Sequence, residues 1–487
     1  MTLRPETDAV EVDPEADASS LSPGGPTHPG SGGEHAGAGP AVAAADPAEL
    51  APTMATVLRK PRFAFLVAGQ TISQLGDKLH HMALIALVGA GASTNTGGFE
   101  LAKLSVVFTA PVILFGPVAG ALVDRLDKRA VMIVCDALRA LLVVTIPWLY
   151  MTTGHLWPVY VVAFLVFLLG VFFNAAKMAL IPELVPHGQL LPANAALTFI
   201  GRFATVGGIV GGGVIIGLAF WRRFGWSDYA AGFYLDATSY FISVVTLLAI
   251  TLASGQVPVP RQAGARAEGR AVKRSFGSLV GDVIRTLTVI RHDRTMRFVF
   301  GSLVALALFA STVYVAMTYS VQTVMGRGTR GVGYLGGILG GGMIVGSLLV
   351  GTIGSRWDKR QTIQIGNSII GLLMIVGGIF FSFGVFAPVA FLGGALLAPV
   401  MVSQDTMLHE NAPPDARALI FSTKDLILGG VFMLSALAVG GTIYLLGRFG
   451  VEQPYRWALS GVGLVIFSTG IAGRLSSVAD RRRVRGA

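Results

Sequence analysis

Charge and cysteine are what this 487-residue chain has least of. Only 13% of its residues are Asp, Glu, Lys or Arg, against roughly 25% in ordinary soluble domains, while 53% are hydrophobic and the mean hydropathy is +0.66. That balance excludes a soluble globule and implies a polytopic membrane protein. The single cysteine, Cys135, lies inside an apolar run, so neither an intrachain disulfide nor a multi-cysteine metal site is available. The chain also lacks a G-x-x-x-x-G-K-[ST] phosphate loop, an H-E-x-x-H pair and a G-x-S-x-G nucleophile elbow. Those gaps argue against ATP-driven pumping within this chain and against enzyme chemistry, and no cofactor or metal is expected. His80 and His81 are adjacent and point to different faces of any helix, which disfavours a two-histidine metal site.

Residues 1–55 have no apolar periodicity. This Gly-, Pro-, Ala- and acid-rich stretch cannot bury enough surface to offset chain entropy, so a disordered tail is expected. It has no basic start followed by an apolar core and does not read as a secretory signal peptide. From Phe63 onward, apolar runs recur at the length a bilayer requires, about 20 residues. They place spans at 63–91, 101–123, 130–152, 157–179, 195–220 and 229–254, then at 298–325, 332–354, 361–383, 385–408, 420–447 and 455–474. The expected fold class is all-α integral membrane, with twelve transmembrane helices in two pseudo-symmetric six-helix bundles. The bundles occupy 56–254 and 298–474, with a linker at 255–297 and a basic tail at 475–487. Within the linker, Phe276, Leu279, Val280, Val283, Leu287 and Ile290 have helical spacing, which predicts a helix lying along the membrane surface.

The net charge of +10 is gathered in the connections rather than spread over a face. Arg59, Lys60 and Arg62 precede the first span, nine basic residues run from Arg261 to Arg297, and the chain ends in Arg481, Arg482, Arg483 and Arg485. The positive-inside rule then puts both termini in the cytoplasm, with Arg222, Arg223, Arg327 and Arg330 as exceptions on the outer side. The charge reads as topology and not as a nucleic-acid footprint.

One charged connection occurs twice. Gly120-Ala121-Leu122-Val123-Asp124-Arg125-Leu126-Asp127-Lys128-Arg129 is followed 231 residues later by Gly351-Thr352-Ile353-Gly354-Ser355-Arg356-Trp357-Asp358-Lys359-Arg360. A loop used twice in the same register implies a duplicated architecture. Asp124 and the basic residues of both copies are expected to bind helix ends and opposing carboxylates as supports of a cytoplasmic gate. The second copy has Ser355 in place of Asp124, so the two gates are expected to be unequal.

Polar residues inside the spans mark candidate chemistry. Gln70, Gln74, Asp77 and His81 are spaced by four, three and four, which puts them in one stripe of the first span. Ionisable groups at mid-membrane depth face a water-filled cavity by default. Asp77 is therefore the leading proton-titrating candidate with His81 one turn above it, unless it pairs with Lys78 or another cation simply to stay buried. Asp136 is a further candidate but stands three residues from Arg139, as a local ion pair requires. Asp236 could titrate or could equally bind polar neighbours such as Ser239. Two spans are dense in glycine: Gly207, Gly208, Gly211 and Gly212 in the fifth, and Gly336, Gly337, Gly340 and Gly341 in the eighth. Small residues at this spacing permit close backbone approach, which serves a sliding interface and a static one alike.

The duplicated loop resembles G-x-x-x-D-R-x-G-R-R, the cytoplasmic loop signature of the major facilitator superfamily, with Asp127 where that family usually has Gly. Gly207-Gly208-Ile209-Val210-Gly211-Gly212 is similar to the G-P-x-x-G-G motif of superfamily exporters, with Gly208 in place of the proline. Ser73-Gln74-Leu75-Gly76-Asp77, the run Asn174 to Pro186, Leu190-Leu191-Pro192-Ala193-Asn194-Ala195 and Pro413-Pro414-Asp415-Ala416-Arg417 resemble the drug/proton antiporter branch that includes macrolide efflux proteins and the enterobactin exporter. In this superfamily the fifth and eighth helices face each other across the two halves. The resemblance implies a monomer in the bacterial plasma membrane that exports an amphipathic small molecule by proton antiport and alternating access. Its partners would be that substrate, protons and the lipid bilayer. A lysophospholipid flippase of the same superfamily and a non-transporting membrane sensor or assembly partner are the alternatives.

Overall fold

The computed structural model describes residues 53–92, 96–254, 281, 284–412 and 417–485. The expected tail up to residue 52, most of the linker and Pro413–Ala416 lie outside the described residues. All regular structure among those described is helical. A short α1 (Met54–Leu58) leads into α2 (Pro61–Gly91), α3 (Gly97–Val123), α4 (Lys128–Thr153), α5 (Leu156–Leu184), α6 (Leu190–Ile216) and α7 (Asp228–Ser254). After α8 (284–292) come α9 (Arg294–Thr312), α10 (Gly328–Ile353), α11 (Lys359–Ile379), α12 (Phe383–Asn411), α13 (Arg417–Arg448) and α14 (Pro454–Arg485). Two π-helical stretches, Val313–Met317 and Ser320–Val324, prolong α9, and the apolar span there runs from Arg294 to Val324. Ten of these helices are long and apolar enough to cross a bilayer. The equally long α2 and α14, of 31 and 32 residues, complete two bundles of six. The basic tail continues α14 to Arg485. On α8, Thr286, Val289 and Ile290 pack on the second bundle, while Leu287 is exposed.

The duplicated loop folds the same way twice. Asp127 and Asp358 both sit at φ −68°, ψ 114°, and their carboxylates accept from the backbone N–H of Ala130 at 2.9 Å and of Gln361 at 2.7 Å. The aspartate that departs from the superfamily pattern is thus the N-cap that starts the third helix of each bundle. The helix pairings repeat as well: α4 lies against α5 and α7 as α11 lies against α12 and α14, and α3 against α5 as α10 against α12. The α2–α7 seam is antiparallel with a seven-residue step, Gly69 meeting Thr246, Gly76 meeting Ser239 and Ala83 meeting Gly232. Residues seven apart share a helix face, so this seam brings the polar middle of α2 onto the polar middle of α7.

The two bundles meet along α6–α10 and α3–α13. A Cβ on Gly213 would lie 2.6 Å from the Cα of Gly333, so the two backbones approach closely there. Nearby, Gln322 Nε2 donates to the Ile85 carbonyl at 2.9 Å, Arg330 donates to the Gly217 carbonyl, and Gly97 abuts the Tyr319 ring. Because consecutive helices alternate in direction, all these contacts fall at the end of the bundle remote from the start of α2. One apolar core spans both lobes there, with Leu84, Leu87 and Leu101 from the first and Val315, Tyr319 and Ile443 from the second. At the opposite end each lobe has its own core, around Met132, Phe173 and Leu180 in one and Met296, Ile363 and Leu408 in the other. Phe203 and Phe199 stand seven and eleven residues before Val210, on the α6 face that touches α10, yet are 74% and 62% exposed. Ile344 and Leu348, at the same steps beyond Gly337 on α10, are 54% and 65% exposed. The lobes therefore close at one end and splay at the other.

Candidate functional site

Four helices of the first lobe converge on one buried charge network. Asp77 Oδ1 on α2 accepts from Arg139 Nη2 of α4 at 2.6 Å and from the Tyr240 hydroxyl of α7 at 2.5 Å. Arg139 Nη1 also donates to Asp136 Oδ1 at 3.3 Å, and the guanidinium stacks 4.1 Å above the Tyr240 ring. Gly170 of α5 leaves room for that guanidinium, which a Cβ would approach to 3.4 Å. Asp136 is fully buried and Arg139 nearly so, whereas the Asp77 side chain keeps about a third of its surface open. Burial of ions is tolerated because one guanidinium serves two carboxylates.

A second pair lies one turn further along the same seam. His80 Nδ1 is 3.1 Å from Asp236 Oδ2, both essentially without exposure, and the imidazole is held edge-on between Phe167 and Phe233. The Ser239 hydroxyl reaches Asp236 Oδ1 at 3.3 Å, as the sequence allowed. The α2–α7 step thus places Asp236 beside the middle of α2.

Between the lobes lies a cavity of about 340 Å³, walled by α2, α3 and α6 on one side and α9, α10 and α13 on the other. Lys78, His81, Met82, Phe108, Tyr314 and Phe432 line it. The π turns of α9 line its second-lobe wall through Val313, Tyr314, Met317 and Val321; such turns are rare and frequently lie at functional sites.

The expected residues fall into three settings. Of the polar stripe, His81 faces this cavity, Asp77 turns into the lobe toward Arg139, Gln74 meets Gly201 of α6, and Gln70 is buried. Of the glycines, Gly336 and Gly337 abut Ile209 and Val210 of the other lobe. Gly208 and Gly212 instead pack inside their own lobe on Lys78 and Met82, because they share the α6 face that α2 occupies. Gly207 approaches Leu75, Gly211 meets its own Ile215, Gly340 is buried, and Gly341 borders open space. In the duplicated loop, Lys128 donates to Glu183 at the end of α5 and Lys359 to Glu410 at the end of α12, both at 2.5 Å. These latches lie within each lobe, and Arg360 stacks on Phe298 at 4.9 Å. Asp124 and Arg125 are exposed beside Gly120, and Arg356 is exposed in the corresponding turn of the second lobe.

Sequence reasoning missed Tyr240, Lys78 as a cavity residue, the His80–Asp236 pair and the Lys–Glu latches. Only the latches carried a signal: Glu183 and Glu410 close corresponding helices of the two repeats.

A family model for the Major Facilitator Superfamily matches residues 66–423. The chain is 31% identical over 182 residues to the MFS-type transporter YfiS of Bacillus subtilis, covering 37% of this chain and 40% of that one. It is 34% identical over 134 residues to macrolide efflux protein A of Streptococcus pyogenes, covering 27% of this chain and 32% of that one. The alignments thus span about a third to two fifths of these relatives' length. The crystal structure of a bacterial homologue of the iron transporter ferroportin, in its inward-facing state, superposes with a TM-score of 0.61 at 14% identity over 85% of this chain and 98% of that one. Duplicated loop, paired six-helix lobes, interlobe cavity and family model agree, and the chain belongs to the Major Facilitator Superfamily.

Proposed function

We propose that this protein is a secondary transporter that exports a small amphipathic molecule in exchange for protons. The observation that carries the reading is the Asp77–Arg139 ion pair, set in the first lobe one residue away from a cavity between two lobes that share a core at one end and splay along α6 and α10 at the other. An efflux protein among the relatives supports the outward direction. With both termini cytoplasmic, the closed end is the outer one and the splayed faces of α6 and α10 open to the cytoplasm.

The chemistry follows from the network. A proton taken up by Asp77 cancels the charge that holds Arg139 and Tyr240 to α2, leaving Arg139 with Asp136. Because α2 also forms the cavity wall through Lys78 and His81, loosening its hold on α4 and α7 biases the lobe that contacts substrate. Closure at the cytoplasmic side would bring the exposed Phe199 and Phe203 against Ile344 and Leu348, burying apolar surface that now faces outward.

In proteoliposomes, Asp77→Asn should abolish transport driven by a pH gradient while the purified protein keeps its elution profile. Unchanged gradient-driven transport by that variant would remove the assignment. A Phe203→Cys/Leu348→Cys pair in a Cys135→Ser background should cross-link poorly at rest and several-fold more readily when the outward-open state is populated. Equal cross-linking under both conditions would contradict rocking of the lobes about this seam.

A further inference from the structure

We infer that the interlobe cavity selects a small ring-bearing carboxylate rather than a cationic or neutral drug, a substrate class that rests on the transport reading above. The cavity wall is apolar and aromatic, with Phe108, Tyr314 and Phe432 packed edge-on and tilted against one another at centroid separations of 5.5 to 6.0 Å. Among the described residues the lining holds no Asp or Glu, and its ionisable residues are Lys78, His81 and Tyr314. No ion pair or hydrogen bond from the described residues reaches the Lys78 ammonium. The adjacent carboxylate that would neutralise it, Asp77, is engaged by Arg139 and Tyr240 on the far side of α2. The stem of Lys78 is fixed, because Gly208 packs so tightly on its Cβ and Cγ that a methyl group there would clash at 2.7 Å. The Tyr314 ring forms part of the opposite wall, while its hydroxyl is buried away from the open space. An acidic group beside Lys78 satisfies its ammonium, whereas a ligand ammonium would meet it with like charge. The volume of about 340 Å³ is near the lower bound of small-molecule pockets and suits a ring system rather than a long acyl chain.

The test is fluorescence titration of the full chain in nanodiscs with three probes that share one naphthalene ring. These are dansylglycine (anionic), dansylamide (neutral) and dansylcadaverine (cationic). Dansylglycine should bind at least about tenfold tighter than the other two, the usual scale for a charged hydrogen bond. Lys78→Met, which keeps the apolar stem, should erase that preference, and Lys78→Arg should keep it. Preference for the cation, an anion preference that survives Lys78→Met, or displacement of dansylglycine more tightly by a lysophosphatidate than by free aryl carboxylates would each overturn the inference. The same titration at lower pH separates it from proton antiport. The charged and titratable groups about Asp77 and Lys78 are Arg139, Tyr240, His80, His81, Asp136, Asp236 and Lys177, and a proton on Asp77 removes negative charge beside Lys78. Charge alone would then tighten anion binding, whereas antiport requires the proton to release the probe through the lobe equilibrium. Tighter binding on acidification would sink antiport and leave the carboxylate preference standing; release on acidification, with the preference intact, supports both.

Discussion

The two lobes are copies in geometry but not in buried charge. At their entrance turns they match: each third helix starts on an aspartate N-cap with the same backbone angles, followed by a lysine latched to the glutamate at the end of the next helix. In their interiors they diverge. The residues 231 positions beyond Asp136 and Arg139 are Asn367 and Ile370. Asn367 Nδ2 donates to Ser302 at 3.3 Å and Gln404 Nε2 reaches the same hydroxyl at 2.5 Å, a neutral network in the second lobe where the first holds an ion triad. A duplicated fold keeps what its chain direction needs, the caps and latches, and is free to change what its interior titrates. On the proposed function, the first lobe responds to protons and the second provides a passive wall.

The widest test of that contrast is at the arginine position. Arg139→Met leaves Asp136 buried with no cation and should destabilise by about 3–5 kcal/mol, whereas Ile370→Val, at the same place in the repeat, should cost about 0.5–1.5 kcal/mol. Thermal unfolding in detergent compares them, and equal losses would mean the charge network contributes no more than ordinary packing. A smaller effect tests the matched half of the comparison. Asp127→Ala and Asp358→Ala each remove one N-cap and should each cost about 0.5–2 kcal/mol. Clearly unequal losses in the same assay would show that the two turns, though alike in shape, carry different loads.

The helices were legible because each leaves a local mark. About 20 apolar residues and a basic connection are written consecutively, so the expected spans lie within a few residues of the observed helices, apart from the extension of α14 to Arg485. The polar stripe on α2 was legible as a stripe for the same reason. Its partners were not, because Asp77 lies 62 residues from Arg139 and 163 from Tyr240, and nothing in a helical period states which faces of two distant helices will meet. The glycines show the limit in a single helix. Gly212 and Gly213 are neighbours about 100° apart on α6, yet one packs on α2 within the lobe and the other on α10 across it.

What the sequence determined by itself is therefore the membrane-crossing architecture and its duplication, both of which are written in residues close together in the chain. The tertiary structure alone decided that Asp77 turns inward to Arg139 while Lys78 faces the cavity, and that the lobes close at one end. Those outcomes depend on how packed helices are rotated and tilted about their axes, and that rotation is set by side-chain volumes from several helices at once.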